Sequence, residues 1–104
     1  MKTLKFNKKY YMPILTGEKT QTIRKNKKRI RVGETIKAIF PGTPMECKLK
    51  ITKIGYKQFK YINDDDAKRE GYDTVDELKE ELLTIYPVLD NLTRIYWYQF
   101  KCID

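Results

Sequence analysis

The stretch Arg94-Ile95-Tyr96-Trp97-Tyr98-Gln99-Phe100-Lys101-Cys102-Ile103 is the strongest strand signal in the chain. Its aromatic and β-branched residues fall on both alternating positions, so it reads as a strand buried on parts of both faces. Immediately upstream the apolar period changes from two to that of a helix. Thr74 opens a helix whose apolar stripe is Val75, Leu78, Leu82 and Ile85, and Pro87 stops it. Asn63 to Gly71 reads as a shorter, acid-led helix, capped at its start and closed by glycine. Further back the period is again two. Met45 to Ile54 points Cys47, Leu49 and Ile51 one way and Lys48, Lys50 and Thr52 the other, as a half-buried antiparallel strand does. Pro41 to Pro44 is a turn cluster, and before it Ile36, Ala38 and Phe40 share one face of a strand over 34–40. Thr20 to Arg24 and Leu4 to Phe6 are two more short strands. Between these two, Tyr10 to Gly17 forms a brief helix with Pro13 in its first turn, Gly17 as its left-handed exit, and Ile14 and Leu15 toward the core. Four or more strands with two helices inserted before the last give an α+β fold, a small β-barrel closed by the C-terminal strand.

Composition narrows the chemistry. The 104 residues suit one domain, 1–104, with one modest core. Histidine is absent, which removes Ser-His-Asp and Cys-His nucleophilic sites and His-ligated metals. Catalysis must run on Lys, Thr, Tyr, Asp or Glu. Cys47 and Cys102 form no Cys-x-x-Cys pair and read as buried, reduced thiols, so no metal or other cofactor is expected. No segment is apolar for long enough to be a signal peptide or to span a membrane, and the expected location is the cytoplasm, as a monomer.

The formal net charge of +8 conceals an asymmetry: residues 1–61 carry 17 Lys/Arg against 3 Asp/Glu, and residues 62–104 carry 5 against 11. Arg24-Lys25-Asn26-Lys27-Lys28-Arg29-Ile30-Arg31 holds six cations and no acid. Such a run repels itself until an anion neutralises it, and nucleic-acid phosphate would do so. A solvated loop answered by the acidic helices, or docking to an acidic protein, is the other reading. Several of the 13 aromatics, among them Tyr10, Tyr56 and Tyr72, lie near basic residues and suit base stacking.

Gly17-Glu18-Lys19-Thr20-Gln21-Thr22-Ile23-Arg24 resembles the G-x-K-x-x-T-x-R signature of ASCH domains. Thr74-Val75-Asp76-Glu77-Leu78-Lys79, with Ile85-Tyr86-Pro87 and Phe100-Lys101-Cys102, is similar to the bacterial ASCH branch that hydrolyses N(4)-acetylcytidine. The resemblance implies a PUA-like β-barrel with two or three flanking helices, and a basic cleft for a nucleoside or RNA. It further implies a metal-independent amidohydrolase with Lys19 as base, Thr22 as nucleophile and Glu77 as proton donor. Arg24 would hold the substrate or order the pocket, with Thr20, Lys27, Lys28, Arg29 and Arg31 as further substrate contacts. A departure is Lys25, where the active branch tends to carry an acid after its arginine.

The chemistry sets conditions of its own. Amide hydrolysis without histidine or metal needs a nucleophile, a group to accept its proton and an acid for the departing amine. Lys19 can serve as base only when neutral, and it must sit in a loop, because residues three apart on a regular strand face opposite ways. Glu77 has a second reading, since Thr74-x-x-Glu77 is also the capping-box pattern of a helix start. Thr20 and Thr22 read equally as ordinary strand residues, and Lys19 as one more solvated lysine. The alternative function is an RNA-binding module without chemistry.

Overall fold

The structure, a computed structural model, describes residues 1–103; Asp104, the last residue of the expected 1–104 domain, lies outside them. The strands and α-helices follow in the order β1 Thr3–Lys5, α1 Tyr11–Thr16, β2 Gln21–Arg24, β3 Thr35–Ile39, β4 Glu46–Gln58, α2 Asp64–Glu70, α3 Val75–Ile85 and β5 Arg94–Cys102. Short 3₁₀ turns lie at Lys8–Tyr10 and Phe59–Tyr61. The strands form one mixed sheet in the order β1-β3-β4-β5-β2, with β1 and β3 parallel and the other neighbours antiparallel. This is the α+β class expected from the sequence.

β5 holds the sheet together from inside, pairing with β4 along its whole length and with β2 from Tyr96 to Gln99. Its two apolar faces explain that position. Tyr98 and Phe100 join Ile36, Ala38, Leu49 and Ile51 in one core, with Ile14 of α1 and the rings of Phe6 and Phe40. Ile95, out of phase with these by one position, joins Ile23, Ala67, Leu78 and Leu82 in a second core under α2 and α3. Among the described residues the ladder ends at β1 and β2, so the C-terminal strand is an interior strand. The sheet nevertheless curls until its two edges nearly meet: Arg24 Nη2 on β2 donates to Lys5 O on β1 at 2.8 Å.

Caps set the helix bounds. Asn63 and Asp66 form a reciprocal capping box at α2, and Gly17 and Gly71 end α1 and α2 at φ 84° and 88°. Some details depart from expectation. Leu15 and Ile85 are exposed, each lying at the margin of the face that buries Ile14, Leu78 and Leu82. β4 runs past Ile54 to Gln58. A register shift between Ile51 and Lys53 breaks its alternation, and beyond it the strand pairs only with β5 among the described residues.

Candidate active site

Lys19 lies in the loop between α1 and β2, where Gly17 allows the bend. The loop is pinned on both sides: Lys19 N donates to Pro13 O at 3.0 Å and Thr20 N to Arg69 O at 2.7 Å. The second bond holds the loop against the end of α2. Lys19 Nζ there meets Glu70 Oε1 at 2.9 Å, with both side chains 4% exposed. The other carboxylate oxygen, Glu70 Oε2, is buried with no hydrogen-bond partner among the described residues. Burial pushes the Glu70 carboxyl above its ordinary range, and the Lys19 ammonium opposes that shift without cancelling it.

Tyr10 covers the pair. Lys19 Nζ sits 4.7 Å from the centre of its ring. The Tyr10 hydroxyl lies 2.8 Å from that of Tyr72 and donates to Glu81 Oε1 at 3.2 Å, while Lys9 Nζ meets the same oxygen at 2.7 Å. Burial holds the Tyr10 phenol above its usual range. The Lys9 hydrogen bond holds the Glu81 carboxyl below its own.

Thr22 is buried on β2, and its Oγ1 accepts a hydrogen bond from Arg24 Nε at 3.0 Å. The two residues share a face, being two apart on a strand. Arg24 also lies over Phe6, 4.9 Å from the ring centre. Burial lowers its pKa, although a guanidinium keeps its charge at neutral pH. That fixed cation favours partial negative charge on Thr22 Oγ1.

Lys19, Thr22, Arg24, Glu70, Tyr72 and Glu81 line one cavity of about 240 Å³, with Leu78, Leu82, Ile85 and Tyr86 among its other walls. Of the side chains expected from the sequence, Lys19, Thr22 and Arg24 are therefore brought together. Glu77 is not. It is exposed on the first turn of α3, where its N–H donates to Thr74 Oγ1 at 3.2 Å, as at a helix cap. The buried carboxylate in the cavity is Glu70, one helix earlier. Thr20 lies just before β2 and lines a separate depression with Leu15 and Phe100. Lys27 and Lys28 line a second cavity, and Arg29 and Arg31 are exposed on the loop, so none of these four lines the cavity of Lys19.

Sequence reasoning passed over Glu70 and Glu81 as site residues, and it offered Tyr10 and Tyr72 for base stacking, not as walls of the Lys19 cavity. A signal for Glu70 existed: it lies three residues after Ala67, the one apolar position of a short charged helix, and so on the inward face. Among the described residues no cluster of three or more His, Cys, Asp or Glu side chains is disposed to hold a metal ion, and no helix is long and apolar enough to cross a membrane.

The sequence matches no family model and no curated protein. The fold has clear counterparts among solved structures. An ASCH domain from Lactobacillus crispatus superimposes with a TM-score of 0.80 at 15% identity, over 97% of this chain and 79% of that one. A protein from Enterococcus faecalis gives 0.78 at 16% identity, over 100% and 77%. An ASCH protein from Zymomonas mobilis gives 0.64 at 10% identity, over 98% and 73%. The chain has the ASCH-domain fold.

Proposed function

We propose that this cavity hydrolyses the exocyclic amide of N(4)-acetylcytidine or a related acylated nucleoside, with Thr22 as nucleophile, Lys19 as base and Glu70 as acid. The observation that carries the reading is the buried Lys19–Glu70 pair, with one carboxylate oxygen unpartnered among the described residues, in the same cavity as a hydroxyl held by Arg24. Catalysis in this reading starts from the neutral form of the pair, in which the proton has passed to the carboxylate whose acidity burial already weakens. That form supplies an amine base and a carboxylic acid together.

The steps follow from it. Lys19 Nζ accepts the Thr22 hydroxyl proton as Oγ1 bonds to the acyl carbon. The tetrahedral adduct collapses with cleavage of the carbon–nitrogen bond, and Glu70 protonates the departing exocyclic nitrogen, releasing cytidine. Water then attacks the threonine ester and gives one proton to Glu70. Acetic acid, which keeps the second water proton and ionises in solvent, leaves as Thr22 recovers its hydroxyl proton from Lys19. Arg24 orients Thr22 and offsets negative charge beside it. A volume of about 240 Å³ lies near the small end of ligand cavities and suits one acylated pyrimidine.

Purified protein incubated with N(4)-acetylcytidine should release cytidine and acetate, followed by chromatography. Lys19→Ala, Thr22→Val and Glu70→Gln should each lower the rate at least about 100-fold. Glu77→Gln should stay within a few-fold of the parent. No cytidine release by the parent protein, or full activity in Glu70→Gln, refutes the assignment.

A further inference from the structure

A second cavity, of about 330 Å³, lies between the β4–β5 ribbon and the basic loop that follows β2. Its floor is built from cross-strand pairs: Ile54 opposite Tyr98 and Tyr56 opposite Tyr96, which share a face. The loop forms one wall. It is tied down, with Lys28 N donating to the Tyr98 hydroxyl at 2.7 Å and Ile30 buried in the first core. Lys27 and Lys28 therefore line a defined cavity, and Arg94 joins them from the start of β5. No acidic side chain lines it, and among the described residues none of the three cations is ion-paired within 4.0 Å.

The aromatic floor is open as well as apolar. Tyr56 is 62% exposed. Its ring lies 6.4 Å from that of Tyr96, tilted by 56°, and the Arg94 guanidinium sits 4.5 Å from the Tyr56 centroid. Flat rings beside unpaired cations match a ligand with a π-face and an adjacent anion. A base with its phosphodiester has both, and an acidic peptide lacks the first.

We propose that this cavity is a second site, which binds single-stranded nucleic acid by stacking a base on Tyr56 and Tyr96 and placing phosphates against Lys27, Lys28 and Arg94. It is separate from the Lys19 cavity and does not depend on the chemistry proposed there. Lys27 and Lys28, expected from the sequence to touch the substrate, act here on the polynucleotide backbone. Three phosphate contacts to a single strand give a slope of about −2 in log affinity against log salt, so binding weakens roughly fifteenfold between 50 and 200 mM salt.

Fluorescence anisotropy with labelled oligouridylate and oligothymidylate, each about eight nucleotides long to match a short single-strand site, tests this on the full chain. Tyr56→Ala should weaken binding about tenfold while Tyr56→Phe, which keeps the ring, stays near the parent. Lys27→Gln with Lys28→Gln should cost about tenfold and flatten the salt slope by about one to two. The matched control is Lys50→Gln with Lys101→Gln, an exposed cross-strand pair outside this cavity, which removes the same charge and should cost far less. Arg94→Gln gives a second probe of the floor, and a thermal melt checks that each variant is folded. A preference for the ribose or deoxyribose oligomer identifies the polymer, and either supports the site. Equal losses in the two double variants, or parent-like binding by folded Tyr56→Ala, overturns it. So does absence of binding at about 50 mM salt, where phosphate contacts are strongest, including the case in which sedimentation shows this face joining two copies of the chain.

Discussion

The Lys19–Glu70 pair makes a prediction that does not depend on catalysis. Both side chains are 4% exposed and 2.9 Å apart, so each charge relies on the other rather than on solvent. Glu70→Met leaves the ammonium alone, and breaking a buried pair from one side costs about 3–5 kcal/mol. Lys19→Met costs less, about 1–3 kcal/mol, because the carboxyl can take up a proton and bury neutral. The double variant buries two thioether side chains of similar length and no charge, and should lie within about 1.5 kcal/mol of the parent. Even with the smallest of these costs the coupling in the cycle is at least about 2.5 kcal/mol, at or above the upper end for residues in contact. Urea denaturation of all four proteins at neutral pH measures it, with the slopes compared to confirm that only stability has changed. Free energies that add to within about 0.5 kcal/mol in the double variant would refute the pairing. Acid titration gives an independent check. The Glu70 carboxyl lies above its ordinary 4.5 in the folded protein, so its protonation stabilises the fold fully below that value and the benefit fades as pH rises through the raised one. Lys19→Met removes the cation that opposes the shift, so its deficit relative to the parent should be smallest in acid and grow toward neutrality.

Two further outcomes follow from other parts of the fold. A Cβ at Gly55 would fall 2.3 Å from Trp97 Cζ2, so Gly55→Ala must displace the indole and should cost about 1–3 kcal/mol, seen as a lower melting temperature with a shift in tryptophan emission. Asp66 is buried, which alone would raise its pKa, yet Lys57, the Asn63 N–H and Gln21 hold the carboxyl below its ordinary 3.8. It therefore stabilises the fold above that value and ceases to as pH falls through the lowered one; Asp66→Asn should be weaker at neutral pH and its stability should fall less on acidification.

Much of the fold was legible because each element carried its own period and punctuation. The alternation at Ile36, Ala38 and Phe40 and at Cys47, Leu49 and Ile51 placed two strands, and Gly17, Gly71 and Pro87 stopped three helices where the chain stops them. The far half of β4 was hidden because the register shift after Ile51 breaks the period and Gly55 reads as a turn residue, although it faces Trp97. Within the site, Lys19, Thr22 and Arg24 lay together in one short motif. Glu70 is distant in sequence and its neighbours, Lys68 and Arg69, read as the wet end of a helix. The bond from Thr20 N to Arg69 O, which no local pattern announces, brings that helix end against the loop.

The guanidinium of Arg24 has a consequence for solubility. β1 and β2 are the rims of the sheet, only 3 and 4 residues long, and exposed rims are where sheets of separate molecules join. By donating to Lys5 O, Arg24 occupies an acceptor on one rim and sets a half-buried positive charge between the two. The side chain that steadies Thr22 thereby also discourages strand-to-strand self-association, so its loss would be expected to register first as turbidity at high protein concentration.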